Sequence, residues 1–255
     1  MVNFDHATHL ESLAERVVRP AAPPDLLAAA GPGGGPHVRL IDGATGQNIF
    51  SFFAYSADFR GGIRVATADV NGDGISDIIT GAGLGGGPHV KVFSGRDGAE
   101  LASFLAFAPT DRGGVSVAAG DLNRDGNADI IVGAGVGAEP AVKVFSGRTF
   151  AETGVFLAYS PAFLGGVNVA VGDVSGDGTH DIISGAGAGG SPHVRAFNGQ
   201  SFQPILSYYA SAPNSASGVS VGTIEANGDD RAEIVSDDGR DVRIWDTRDL
   251  SQPLN

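Results

Sequence analysis

Apolar and polar positions along this chain alternate in short bursts, not in helical periods. In GGVSVA, Val115 and Val117 alternate with Ser116 and Ala118; DIIVGAG is a brief apolar run, AVKVF a β-branched alternation, and LASFLAF an aromatic-rich one. Each burst is four to seven residues long and is bounded by Gly, Pro, Asn or Asp, the signature of short strands separated by turns. The set of four bursts then repeats. Segments beginning at Gly61, Gly113 and Gly165 align at a spacing of 52, and so do Asp69, Asp121 and Asp173. One further step reaches Glu225 in an eroded copy, and one step back from Gly83 reaches Gly31 in half a copy. Four strands per unit, repeated about five times, predict an all-β chain: a five-bladed β-propeller of four-stranded antiparallel blades, about 52 residues per blade, over residues 25–255. Parallel β-helices repeat at about 20–30 residues or less, so the long period argues against one.

The ends of the pattern are ragged. The first unit lacks an inner strand, and the last runs out at Ser251–Asn255, where its outer strand should begin. Residues 1–24 are read as a lead-in that completes the ring beside the last unit. Leu10, Leu13 and Val17 behind Asp5 fit a short helix there equally well.

Glycine reaches 40 of 255 residues, more than twice the usual share of about 7 %. With 42 % apolar residues the chain still has a core to bury, so the glycines belong to turns. Cysteine is absent, which excludes disulfides, thiolate metal sites and a cysteine nucleophile. The net charge of −13 opposes binding to nucleic acid and to anionic lipid. No run approaches the ~18 apolar residues of a membrane span, and the N-terminus has no basic and apolar signal regions. Neither a nucleic-acid partner nor membrane insertion is expected, and a monomer is.

The acidic surplus is concentrated between the first two strands of each unit. DVNGDGISD, DLNRDGNAD and DVSGDGTHD place oxygen side chains at loop positions 1, 3, 5 and 9 with Gly at 6: Asp69, Asn71, Asp73 and Asp77; Asp121, Asn123, Asp125 and Asp129; Asp173, Ser175, Asp177 and Asp181. Calcium takes about 6–8 oxygens in irregular cages, which such side chains plus one carbonyl supply. Turn-forming propensity alone would explain one such loop. Three copies that keep positions 1, 5, 6 and 9 while 2, 4, 7 and 8 drift argue for ligands. Position 12 is Thr80, Val132 or Ser184 and the flanks are strands, which excludes an EF-hand. Magnesium prefers a stricter octahedron and ranks behind calcium. Filling three loops moves the formal charge from −13 to −7 (3 × 2 = 6). The fourth loop, Glu225–Glu233, lengthens two ligands and puts Asp230 at the turn glycine, which weakens it as a site. The expected order of affinity is the first two loops, then the third, then the fourth, with the Asp25 region empty.

The composite GG-V-x-V-A-x-x-D-x-N-x-D-G-x-x-D-[IV]-[IV]-x-G-A-G resembles the FG-GAP/VCBS repeat family, calcium-binding propeller repeats also found in the integrin α head. Gly61-Gly62 and their counterparts stand at the family's opening Phe-Gly, so the Phe is missing. The resemblance implies the ligand set above, with backbone carbonyls from Ile75, Asn127 and Thr179. Family members are usually seven-bladed and mostly non-catalytic, serving adhesion or recognition. Calcium loops of this kind fill at extracellular calcium levels, so an extracellular, cell-surface or periplasmic location is expected.

Gly81-x-Gly83-x-x-Gly86 matches a dinucleotide fingerprint, but it leads through Pro88 into another strand, with no helix N-terminus to hold phosphate. His37, His89 and His193 follow this loop at one equivalent position, with Ala141 in the third copy. The reading adopted for them is a strand-start histidine bonded to a neighbouring blade's backbone, in preference to a metal ligand. Tyr55, Phe59, Tyr159, Phe163, Tyr208 and Tyr209 are read as inter-blade packing, with sugar stacking as the alternative. No nucleophile elbow, HExxH or spare carboxylate pair is present. The expected function is a non-catalytic binding or adhesion module for a glycan or surface protein. The competing readings are a carbohydrate-active enzyme and an architectural surface domain.

Overall fold

The structure is a computed structural model that describes residues 26–251 and 253–254. The lead-in, its alternative helix and the Asp25 region lie outside the described residues. Five antiparallel sheets form the five blades. The first has three strands, β1 (Leu26–Ala29), β2 (His37–Ile41) and β3 (Asn48–Phe53). The second is β4 (Ile63–Ala68), β5 (Asp77–Ala82), β6 (His89–Phe93) and β7 (Glu100–Leu105). The third is β8 (Val115–Gly120), β9 (Asp129–Ala134), β10 (Ala141–Phe145) and β11 (Glu152–Leu157). The fourth is β12 (Val167–Gly172), β13 (Asp181–Ala186), β14 (His193–Phe197) and β15 (Pro204–Tyr209). The fifth is β16 (Ser220–Ile224), β17 (Glu233–Asp237) and β18 (Val242–Trp245). The first blade thus lacks an inner strand among the described residues. The fifth lacks a full outer one; Leu254 begins it with an antiparallel bridge to Ile244.

The Ile-Ile doublet of the second strand explains how the blades stack. Successive strand residues point to opposite faces, and each blade has a neighbour on both. Ile78 therefore packs towards the first blade and Ile79 towards the third; Ile130 and Ile131, and Ile182 and Ile183, repeat this. Four buried clusters result, one at each seam between consecutive blades from the first to the fifth. Strands β5, β9 and β13 are buried along their whole length.

Close approach makes the glycine of the second strand obligatory. A Cβ on Gly133 would lie 2.4 Å from the Val167 carbonyl oxygen of the next blade, and one on Gly185 would lie 2.4 Å from that of Val219. In the second to fourth blades this position sits where two blades touch.

Candidate cation loops and the opposite face

The antiparallel order puts the four acidic loops, between first and second strands, on one face of the ring. The glycine-rich loops and the blade-to-blade connections lie on the other. In the first loop Asp69 Oδ1 accepts the Gly72 amide (2.7 Å) and Asp69 Oδ2 that of Gly74 (2.7 Å). Asn71 Oδ1 accepts from the Asp73 amide (2.9 Å) and Asp73 Oδ1 from that of Ile75 (2.9 Å). Asp77 closes the loop, its Oδ2 taking the Val70 amide (3.1 Å) and its Oδ1 that of Gly95 (3.1 Å). The second loop repeats this scheme with Asp121, Asn123, Asp125, Asn127 and Asp129. The third repeats it with Asp173, Asp177, Thr179 and Asp181, the Ser175 amide reaching Asp181 at 2.8 Å. These bonds wind the backbone of each loop, but among the described residues the carboxylates of the first three loops do not come together: three acidic side chains lie within 4.8 Å of one another in the fourth loop alone.

The turn itself needs left-handed residues at positions 4 and 6. Gly72, Gly74, Gly126, Gly176 and Gly178 all have positive φ. Arg124 (φ 62°) and Asp230 (φ 63°) adopt the same conformation without being glycine. Loss of the glycine at Asp230 therefore does not unwind the fourth loop, because Asp is among the residues that tolerate this region best.

Buried charge distinguishes position 9. Asp77, Asp129 and Asp181 are buried. Burial pushes all three carboxyls up, and the neighbouring loop carboxylates add to it; Asp129 reaches about 6. Asp181 Oδ1 is fully buried and has no hydrogen-bond partner among the described residues. A hard cation would supply what this oxygen lacks and offset the like charges of Asp177 and Asp173, so the residues of the third loop fit calcium. The fourth loop differs. Among the described residues, Glu225, Asp229 and Glu233 are the group of three acidic side chains whose oxygens lie within 4.8 Å of one another. There Arg248 pairs with Asp229 (2.6 Å) and Asp246 (2.7 Å), as Arg96 pairs with Asp73 in the first loop (3.2 Å), so a guanidinium already brings positive charge to both. Glu233 is satisfied by the Ala226 amide (2.7 Å) and Asn227 Nδ2 (2.6 Å).

Neighbouring loops are tied together. The Ala128 amide donates to the Asp69 carbonyl, and that of Ala232 to Asp173, both at 2.8 Å. Arg124 donates to the Asp177 carbonyl (2.6 Å), and Arg231 donates to that of Ser175. These cross-blade arginines carry no motif that sequence reading registers; only the ring places them over the third loop.

On the opposite face a central cavity of about 430 Å³ opens among the glycine-rich loops. Arg64, Ser116, Asn168 and Ser220, one equivalent residue from each of four inner strands, line it. Ser116 Oγ accepts the Val169 amide (3.1 Å) and Asn168 Nδ2 donates to the Val219 carbonyl (2.8 Å), so these two fasten neighbouring blades. The histidines require a correction. Their side chains bond to serines of their own blade's outer strand, His37 to Ser51 (2.7 Å), His89 to Ser103 (2.8 Å) and His193 to Ser207 (2.9 Å). The neighbouring blade instead reaches their carbonyls, through Tyr55 for His89 (3.0 Å) and Tyr159 for His193 (2.8 Å). The reason is register: His and Ser are close cross-strand neighbours on the same sheet. Tyr55, Phe59, Tyr159 and Phe163 pack in the seams as expected. Tyr208 packs against Trp245, and Tyr209 stacks on His193.

Residues 61–99 and 113–148 match the FG-GAP repeat family. Human integrin alpha-7 is 34 % identical over 115 residues, which is 41 % of this chain and 9 % of the integrin. The chain therefore spans about a tenth of that relative's length. Among solved structures, a protein of unknown function from Bacteroides caccae superposes with a TM-score of 0.55 at 13 % identity, covering 91 % of this chain and 73 % of that one. A rhamnogalacturonan lyase of Bacillus licheniformis gives 0.49 at 14 % identity, covering 78 % and 48 %. At 13 % identity the likeness to the Bacteroides protein concerns the fold alone.

Proposed function

We propose that this propeller of FG-GAP repeats is a calcium-stabilised binding or adhesion module, non-catalytic in itself. On this reading it works in an extracellular, cell-surface or periplasmic setting and recognises a glycan or protein partner. The observation that carries the calcium reading is the third loop, where a buried carboxylate oxygen, Asp181 Oδ1, has no partner among the described residues. Asp173, Ser175, Asp177 and Asp181 would hold the ion there, with the Thr179 carbonyl. Asp69, Asn71, Asp73, Asp77 and Ile75 would do so in the first loop, and Asp121, Asn123, Asp125, Asp129 and Asn127 in the second. The ion supplies positive charge and a cross-link of oxygens at one corner of each blade. The chain itself winds the loops, ties Asp69 to Ala128 and Asp173 to Ala232, and so passes order from one blade to the next. The opposite face stays free for a partner, and its central cavity has the size of a small-ligand site.

Thermal melting with millimolar calcium and with EDTA tests the reading, on the whole chain and on Asp73→Ala, Asp125→Ala and Asp177→Ala. Extracellular calcium sites have Kd of about 0.1–1 mM. At ~2 mM calcium the tightest of these add roughly 1.8 kcal/mol per site. Calcium should raise the melting temperature by many degrees and each variant should lose part of the rise; equal melting in both buffers refutes a calcium-stabilised module. A glycan array and a polysaccharide-degradation screen, both in calcium, address the partner. Saturable binding without turnover supports a module, and release of reducing ends replaces it with an enzyme.

A further inference from the structure

The repeats act as one another's controls: the fourth-to-fifth seam replaces the plug tyrosine and phenylalanine with Ser211 and Ser215, whereas the second-to-third seam replaces the plug with charge. Between the first and second blades, Phe59, Tyr55 and His89 form a three-ring plug with centroids 5.9 and 5.3 Å apart. Between the third and fourth, Phe163, Tyr159 and His193 repeat it at 5.7 and 5.6 Å. The tyrosine hydroxyls are met by Thr80 (3.1 Å) and Ser184 (3.1 Å). Between the second and third blades the same positions are Asp111, Phe107 and Ala141, and the hydroxyl partner is Val132. Gly86 and Gly190 must be glycine because a Cβ there would lie 2.7 Å from the plug phenylalanine; at this seam the position is Ala138. The next residue, Gly87 in the second blade and Ser191 in the fourth, is Glu139 in the third. Two rings and every buried hydroxyl have been removed together, and two carboxylates have been added.

The result is a cavity of about 420 Å³, walled by Leu105, Phe107 and Ala141 and bearing Asp111, Glu139 and Lys143. Lys143 is already paired with Glu152 at 2.7 Å and lies 5.5 Å from the Phe107 ring centre. Asp111 and Glu139 form no ion pair among the described residues. The net charge left over is negative, and it stands at a slot with an apolar wall and a polar rim.

We propose that this seam binds an organic cation: an ammonium or guanidinium group on a short aliphatic stem. Such a group occurs on a partner protein's Lys or Arg side chain or on a free amine. The stem lies along Phe107, Leu105 and Ala141, and the charged head meets Asp111 and Glu139, where charge-assisted hydrogen bonds are strongest. The site lies on the face away from the acidic loops, so it does not depend on the calcium reading.

Titration of the whole isotope-labelled chain by NMR, with calcium present throughout and at fixed ionic strength, tests this. The probes are N-acetyl-lysine methylamide, N-acetyl-arginine methylamide, 1-aminopentane and, as the uncharged control, N-acetyl-norleucine methylamide. Saturable shifts confined to residues around Phe107 and Ala141, at least about tenfold tighter for the cations than for norleucine, are expected. Tighter binding of the blocked amino acids than of the amine points to a protein-borne side chain, and the reverse to a free amine; both support the site. Glu139→Gln, at an exposed position, should weaken binding about tenfold without touching the fold. The triple variant D111F/A138G/A141H restores the plug and should abolish binding while keeping or raising the melting temperature. Norleucine binding as tightly as lysine, or shifts that never saturate and spread over the acidic surface, overturns the proposal. So does undiminished binding by the plugged or Glu139→Gln chain.

Discussion

At the residue scale, charge burial and close approach set the sharpest expectations. Asp129 titrates near 6 when folded, because burial and then the charges of Asp125 and Asp121 disfavour its ionised form. A raised folded value means that the folded state holds the proton more tightly than the unfolded chain does. The contribution to stability is present at low pH and is lost as pH rises through about 6. Half-buried His89 and His193 are shifted downwards and act with the opposite sign, so the comparison belongs against Asp129→Asn. In EDTA, the chain should lose about 1 kcal/mol more than Asp129→Asn between pH 5 and pH 7, read from urea midpoints. In calcium the difference should reverse, since the ion needs the carboxylate. Equal pH dependence of the two chains would show that Asp129 ionises freely. A second residue-scale expectation concerns Gly133, whose Cβ would sit 2.4 Å from the Val167 carbonyl. Gly133→Ala should cost about 1–3 kcal/mol by forcing two blades apart, whereas Gly137→Ala, with open space around it, should strain only its own backbone.

At the element scale, the seams obey a rule of paired hydroxyls. Tyr55 meets Thr80 and Tyr159 meets Ser184, while Phe107 meets Val132; at the fourth-to-fifth seam Ser211 stands at the tyrosine position, and the retained Ser236 hydroxyl accepts from Trp245 Nε1 instead (2.8 Å). Tyr159→Phe should cost about 1 kcal/mol by taking the partner from the Ser184 hydroxyl and the His193 carbonyl. Adding Ser184→Val should recover most of that loss; a second loss on top of the first would break the rule. The strands were legible in sequence because each blade repeats one alternation, and the doubled isoleucines register that both faces are covered. The loops were legible because oxygen side chains at fixed spacing wind one turn. The hydroxyl pairs, the histidine-to-serine bonds and the arginines over the third loop were not. Each joins residues on separate strands or separate blades, and only the register and the ring decide which ones meet. The convergence of Glu225, Asp229 and Glu233 was hidden for a related reason: the sequence shows the extra methylene of the two glutamates at positions 1 and 9, and the structure alone shows where their oxygens end.

At the scale of the molecule, the five seams are not equal. In the second to fourth blades the second-strand glycine abuts the next blade: Gly81 meets Val115 and Val117, Gly133 meets Val167, and Gly185 meets Val219. The fifth blade carries Asp237 at that position, and it is exposed. The isoleucine that would face onward is Val235, only half-buried, and Leu26 in the first blade is 59 % exposed. A Cβ at this position would clash in the other seams, and a carboxylate would be buried there without a partner, so the fifth-to-first seam follows a different packing rule from the rest. Among the described residues, none of the four buried clusters spans it. Opening should therefore begin there, because local stability follows apolar contact and burial. Native-state hydrogen exchange should find the amides of β1 and β16–β18 exchanging by openings well below the global unfolding free energy, and those of β9 and β13 only by global unfolding. Uniform protection across all blades would mean that the seam is welded as firmly as its neighbours. Gly185→Asp provides the reciprocal measurement. It places at the fourth-to-fifth seam the side chain that the fifth-to-first seam tolerates, and it should prevent folding, while Asp237→Gly should change stability by less than about 1 kcal/mol.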